Sequence, residues 1–223
     1  MKQVHIHVIC EGQTEEAFIN ELLVDRFALR GIYLRPGLIG RPGHKGGVFK
    51  FERLCPDVEK RLLADPNCYC TTFFDFYGLP ESFPGKSHAS MKPGIDDKSA
   101  VVMQAMCEQL TARIGEDAMR RFIPYVQMYE FEALLFSDPI RMAAGMDQTQ
   151  LSNDFHSIAS QFDSPEHINN SPQTAASKRI EKLIPGYEKP LLGTLAALEV
   201  GLDNMRQQCK LFDLWLQKLE ALN

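Results

Sequence analysis

The sequence predicts an α/β fold: a mainly parallel sheet flanked by helices, followed by an α-helical C-terminal part. Three observations predict it. Two strand-like apolar runs each end on a carboxylate, Val4 to Cys10 before Glu11 and Cys70 to Phe74 before Asp75. A third, Ile123 to Met128, ends at Tyr129-Glu130-Phe131-Glu132. Segments with helical spacing separate these runs, and strand–helix alternation implies parallel pairing with right-handed crossovers.

The elements follow in order. After Glu11-Gly12, Thr14 is a plausible N-cap for a helix to about Arg30, with Phe18, Ile19, Leu22, Leu23 and Phe27 on one face. Ile32 to Ile39 reads as a short second strand interrupted by Pro36 and Gly37, and Gly40 to Gly47 as a flexible run. A helix from roughly Phe49 to Ala64 leads to a third strand at Tyr69 to Phe74. Gly78 to Gly94, rich in proline and glycine, reads as a loop directly after Asp75, a position where long loops often carry function. Asp96 to Ile114 reads as a helix with Val101, Val102, Ala105, Met106 and Leu110 along one face, before the strand at Ile123 to Met128. Beyond Ser137-Asp138-Pro139 the pattern is helical, with a break near Asp163-Ser164-Pro165. The last helix, Asp203 to Leu222, aligns Met205, Cys209, Phe212, Leu216 and Leu219. The expected organisation is an α/β domain over 1–138 and a helical extension over 139–223 packed on it.

Composition narrows the function. The formal charge of −5 and pI near 5.7 argue against gripping nucleic acid by overall charge, so any such contact is local. No apolar stretch approaches the ~18 residues needed to span a bilayer, and Met1-Lys2 leads straight into a strand, so a soluble, cytoplasmic protein is expected. The six cysteines show no paired CxxC spacing and read as reduced, buried thiols. There is no GxSxG elbow, HExxH helix or kinase motif set, which disfavours hydrolysis through a covalent serine.

In an open parallel sheet, side chains at the carboxyl ends of neighbouring strands converge on one crevice. Glu11 and Asp75 stand there, and several carboxylates together repel unless a cation sits between them, which suggests Mg²⁺ or Mn²⁺. Glu130 and Glu132 share a face if the strand continues through them, whereas a helix starting there would turn one of them away. Glu16 needs only the helix dipole to explain it. Candidate substrate-binding cations are Arg41, His44 and Lys45 among glycines, with Lys178 and Arg179 after Ser177 near a helix start. His5 and His7 alternate on one strand face without partners at metal-ligand spacing, and read as sheet histidines.

The segments Ile9-Cys10-Glu11-Gly12-Gln13-Thr14-Glu15 and Phe73-Phe74-Asp75-Phe76-Tyr77-Gly78-Leu79-Pro80 resemble the signatures of an uncharacterised bacterial family with a Toprim-like (topoisomerase–primase) fold. Tyr129 to Phe136, Ser177 to Ile180 and Cys209 to Leu216 extend the resemblance over nearly the whole chain. Toprim domains place a glutamate after the first strand and a D-x-D pair after a later one, and hold Mg²⁺ with these acids. By this resemblance Glu11 matches the glutamate and Asp75 the first aspartate. Glu15 matches an acid that the overcoming-lysogenization-defect type nucleases add. Tyr77 stands where the second aspartate is expected, so Glu130 or Glu132 would replace that ligand, or the site does no chemistry. The resemblance further implies an AAA- or ABC-type ATPase partner in a defence setting.

The expected function is therefore metal-dependent phosphodiester cleavage of nucleic acid by Glu11 and Asp75, with Glu11, Glu15, Asp75 and Glu130 or Glu132 as metal ligands. The rival is a non-catalytic module that binds an ATPase or a small ligand. A covalent phosphotyrosine at Tyr77 or Tyr129 is a minor variant, disfavoured because no separate domain is present to move a cut strand.

Overall fold

The computed structural model describes residues 3–40, 50–169, 171 and 173–223. Its sheet has four strands, β1 (Val4–Cys10), β2 (Ile32–Leu38), β3 (Cys68–Phe73) and β4 (Phe122–Ile123), in the order β2-β1-β3-β4. Every pairing is parallel. The chain is thus an α/β fold with helices on both faces and a helical C-terminal part.

Period-two alternation assigns the faces of β1. Val4, Ile6, Val8 and Cys10 bury against Phe18, Ile19, Leu22, Leu23 and Phe27. Those residues lie on α1 (Gln13–Phe18), a π-helical turn (Ile19–Leu23) and α2 (Val24–Ala28), so the predicted single helix carries one π turn. On the other face Ile9 and Cys70 pack on α3 (Phe51–Ala64) and α5 (Ile95–Ile114) through Leu54, Val58, Leu62, Val102 and Met106. Among the described residues of β3, Cys68 and Cys70 to Phe73 are buried, as a central strand covered on both faces requires.

Two prolines modify the predicted strands. Pro36 does not interrupt β2, which pairs with β1 through Leu38, because β2 is an edge strand where a missing N–H is tolerated. Pro124 does end β4 after two residues. The Thr72 hydroxyl fills the gap, accepting from the Tyr125 N–H (3.0 Å) and donating to the Tyr125 carbonyl (2.7 Å). Beyond it the pairing resumes irregularly through Phe76 N–H to the Gln127 carbonyl and Tyr77 N–H to the Tyr129 carbonyl, both 2.9 Å. The loop predicted over Gly78 to Gly94 contains a five-residue helix, α4 (Lys86–Ser90), too short to show periodicity.

The later helices are α7 (Pro139–Gly145), α8 (Ser152–Ala159), α9 (Ala176–Leu183), α10 (Thr194–Val200), α11 (Leu202–Gln208) and α12 (Lys210–Glu220), after a short α6 (Glu116–Met119). They complete the same core as β1: Trp215 of α12 stacks on Phe73 (5.4 Å) and Tyr125 (4.5 Å), and its indole N–H donates to the Thr71 hydroxyl (2.9 Å). The predicted final helix is divided at Cys209. The fully buried Glu166 carboxylate accepts the N–H groups of Leu211 (3.0 Å) and Phe212 (2.9 Å), satisfying the first turn of α12 and favouring a new helix start there. All six cysteines are free, five of them buried. Among the described residues no helix is long and apolar enough to cross a membrane.

Candidate functional site

The register puts Glu11 and Asp75 side by side. Cys10 pairs with Phe73, the Glu11 N–H reaches the Phe73 carbonyl (3.3 Å), and the Asp75 N–H donates to Glu11 Oε2 (3.1 Å). Glu15 sits in the first turn of α1, where its Oε2 accepts the Gly12 N–H (2.8 Å) and its carboxylate is turned inward and buried. Gly78 allows the loop to cross against Glu11, since a Cβ there would stand 2.3 Å from Glu11 Oε1.

The pair Glu130 and Glu132 resolves into two roles. No strand runs through them: a 3-10 helix (Phe131–Ser137) begins directly after Glu130, and Tyr129 before it takes the left-handed conformation (φ 63°). Glu130 is occupied at the start of α9, accepting the Ser177 N–H (2.8 Å) and the Ser177 hydroxyl (3.0 Å). Glu132 is 1 % exposed, receives no hydrogen bond of good geometry, and faces the Lys189 ammonium at 2.9 Å from Oε1.

Four carboxylates therefore act on one another through Asp75. Burial, then the charges of Glu15, Glu11 and Glu132, push the Asp75 carboxyl well above its usual range, with Lys189 opposing. Its Oδ1 is buried and unbonded. Burial, then Glu15, raises Glu11 to about 7, and burial raises Glu15 and Glu132. For Lys189, burial alone would lower the pKa, yet Glu132, Asp75 and Glu130 together raise it. A second lysine borders the site. Lys86 is buried, donates to the Phe76 carbonyl, lies 3.4 Å from the centre of the Phe76 ring, and is pushed down to about 8 chiefly by burial. Nearby, the Lys98 ammonium reaches the Tyr129 hydroxyl (3.1 Å).

Of the other expected cations, the two described have partners outside this cluster. Lys178 pairs with Glu181 (2.6 Å), while Arg179 donates to the Thr174 carbonyl (2.8 Å) and lies over the Phe162 ring. Arg41, His44 and Lys45 lie outside the described residues. Tyr77 is 41 % exposed and brings no carboxylate to the crevice. No sequence pattern marks Lys189: it opens a π-helical turn (Lys189–Gly193) after Pro185-Gly186-Tyr187-Glu188, and nothing local links it to acids more than fifty residues earlier.

A divalent cation would find suitable donors here, since Glu11, Glu15, Asp75 and Glu132 are hard oxygen ligands and Asp75 Oδ1 has no competing bond. As the side chains stand, no three His, Cys, Asp or Glu groups among the described residues gather closely enough to hold a metal. Among the described residues, the ammonium in ion-pair contact with this carboxylate group is that of Lys189, on Glu132.

The electrostatics set a pH response. Folded Glu11 and Glu166, both raised to about 7 from 4.5, keep their protons where the unfolded chain has lost them. Their stabilising contribution is complete below the unfolded value and disappears as pH rises to about 7. The lowered pKa of His7 opposes this, as one imidazole against several carboxylates. Urea denaturation in EDTA is expected to give a stability at pH 5.5 higher than at pH 7.5 by on the order of 1–3 kcal/mol. Equal or lower stability at pH 5.5 would contradict this charge arrangement.

The contact at Gly78 gives a test confined to one carboxylate. Gly78→Ala is expected to displace the Glu11 carboxylate, a flexible side-chain end, and so to cost about 1 kcal/mol or less of stability. Any activity that uses Glu11 should fall several-fold in the same variant. A fully active, folded Gly78→Ala protein would remove Glu11 from the site.

A protein-family model described as Domain of unknown function (DUF4276) matches residues 10–220. No curated protein and no solved structure matches the chain.

Proposed function

The chain belongs to the DUF4276 family, and we propose that it is a Mg²⁺- or Mn²⁺-dependent phosphodiesterase acting on nucleic acid. The observation that carries this reading is the set of four carboxylates, Glu11, Glu15, Asp75 and Glu132, sharing one lysine at the carboxyl edge of a parallel sheet. So much concentrated negative charge is costly for stability alone, and perturbed carboxyl groups at a sheet edge mark functional sites. The resemblance to Toprim-like folds and to overcoming-lysogenization-defect type nucleases supports the same reaction class.

In this scheme Glu11, Glu15, Asp75 and Glu132 hold the metal. Glu130 is left out, because Ser177 takes both its oxygens. Such an ion, when bound, supplies positive charge that polarises a phosphodiester and makes water more acidic. Glu11, raised to about 7 in the metal-free protein, would be pulled down by a bound cation, so loading the site would release a proton from it near neutral pH. Phosphate contacts on an otherwise acidic protein would fall to local cations: Lys98 beside the Tyr129 hydroxyl, with Arg41, His44, Lys45, Lys178 and Arg179 as the candidates offered by the sequence. We place the protein in the cytoplasm as the effector of an ATPase-linked defence system, with an AAA- or ABC-type partner.

A second reading is a non-catalytic binding module, favoured by Lys189 facing the acids and by Tyr77 at the second aspartate position. The discriminating experiment incubates the protein with Mn²⁺ or Mg²⁺, with and without any ATPase encoded beside it, on supercoiled, linear and single-stranded DNA and on RNA. Metal-dependent cleavage of any substrate supports the first reading. Intact substrates under every condition support the second.

A further inference from the structure

We propose that Lys189 is the built-in counter-ion of the acidic crevice and that a divalent cation enters by exchanging with its ammonium group. The proposal takes the choice of ion from the phosphodiesterase reading; the exchange itself is argued from the side chains.

Glu132 supplies the first argument. It is 1 % exposed, neither oxygen receives a hydrogen bond of good geometry, and its ionic partner is Lys189 at 2.9 Å. A buried carboxylate with so little else to hold it must either keep its proton or have a cation beside it. Asp75 Oδ1 is likewise buried and unbonded. The two groups leave buried oxygens free to take a ligand with more positive charge than one ammonium brings.

Lys189 itself supplies the second argument. Its charge acts on Glu11, Glu15, Asp75 and Glu132, so it neutralises the crevice as a whole as well as its nearest neighbour. Its side chain is nevertheless 40 % exposed, against 1 % for its partner. The ammonium can therefore swing to water on its long stem while the carboxylates stay in place. One monovalent charge among four carboxylates is also a weaker counter-ion than a divalent one at the same place. The exchange accounts for an otherwise discordant pair of facts: carboxylates of the right chemistry for a metal, and no three of them gathered for one while the lysine is present.

The test is calorimetric titration of the full chain with Mn²⁺ at pH 7.5. Lys189→Met keeps the stem and removes the competing charge, so its Kd for Mn²⁺ is expected to fall by about 10-fold or more relative to wild type. Lys189→Arg, which keeps the charge, should not gain affinity. If wild type binds Mn²⁺ and Lys189→Met binds no more tightly, the exchange is wrong and the phosphodiesterase reading survives. If neither binds, both fail. Should Lys189→Met not fold, the wild type still decides the matter by amine acetylation with an N-hydroxysuccinimide ester, followed residue by residue by mass spectrometry. Mn²⁺ is expected to accelerate modification of Lys189 several-fold while leaving Lys178 unchanged. Protection of Lys189 by Mn²⁺, or no change, overturns the exchange.

Discussion

Asp75→Asn is expected to lower metal-dependent cleavage by a factor on the order of 10–100 or more while making the metal-free protein more stable. The two effects have one cause. Asp75 is the group on which the charges of Glu15, Glu11 and Glu132 converge, in an environment that already holds its carboxyl well above the usual range. Asparagine keeps the shape, removes the repulsion, and takes away both a charge and a ligand oxygen from any cation bound there. Relief of that repulsion should raise the melting temperature in EDTA by a few degrees, as about 1 kcal/mol does for a chain of this size. Glu16→Gln, on the same helix turn as Glu15, is the control and should change neither quantity much. An Asp75→Asn protein that cleaves like wild type would end the nuclease reading. One that is less stable than wild type in EDTA would refute the electrostatic account of the crevice.

Trp215→Ala carries the largest expected cost in stability, about 3–5 kcal/mol. Its indole is 2 % exposed, stacked on both Phe73 and Tyr125 and 5.8 Å from Phe212. Truncation opens a cavity under β3 and leaves the buried Thr71 hydroxyl without the indole N–H. That loss is a large part of the 5–15 kcal/mol that typically holds a folded chain together. Urea denaturation followed by far-ultraviolet circular dichroism is the appropriate measurement, because Trp215 is the only tryptophan and its fluorescence disappears with it. Leu214→Ala, at a 41 % exposed neighbouring position, should cost under about 1 kcal/mol. Similar losses in the two variants would mean that α12 does not seat on the sheet as described.

The sequence made some of this legible and not the rest, for reasons that differ by residue. Glu11 and Asp75 could be read because apolar β-strands announce their own ends, and parallel topology places those ends together. The helix from Ile95 to Ile114 could be read from its long apolar face. The effect of Pro124 could not, because the compensating hydroxyl of Thr72 lies on another strand. Nor could the division at Cys209: its apolar spacing continues from Met205 to Leu219, and the carboxylate associated with a new helix start belongs to Glu166, over forty residues earlier. Glu130 and Glu132 were indistinguishable in sequence, since only the positions of Ser177 and Lys189 separate them. Long-range electrostatic partners have no periodicity to reveal them, and Lys189 is the clearest example.

The bond between the Trp215 indole and Thr71 joins residues 144 positions apart, and this has a kinetic consequence. During synthesis β3 and Asp75 leave the ribosome long before α12 exists, and Lys189 follows more than a hundred residues after the acid whose charge it offsets. Phe73 can meet Phe18 and Tyr125 early, but the stack that Trp215 completes must wait for that late helix. Closing so distant a contact is entropically slow. Emergence of α12 therefore sets the earliest moment at which the crevice can acquire its final backing, so a nascent chain carries the acids of the site well before it carries the site.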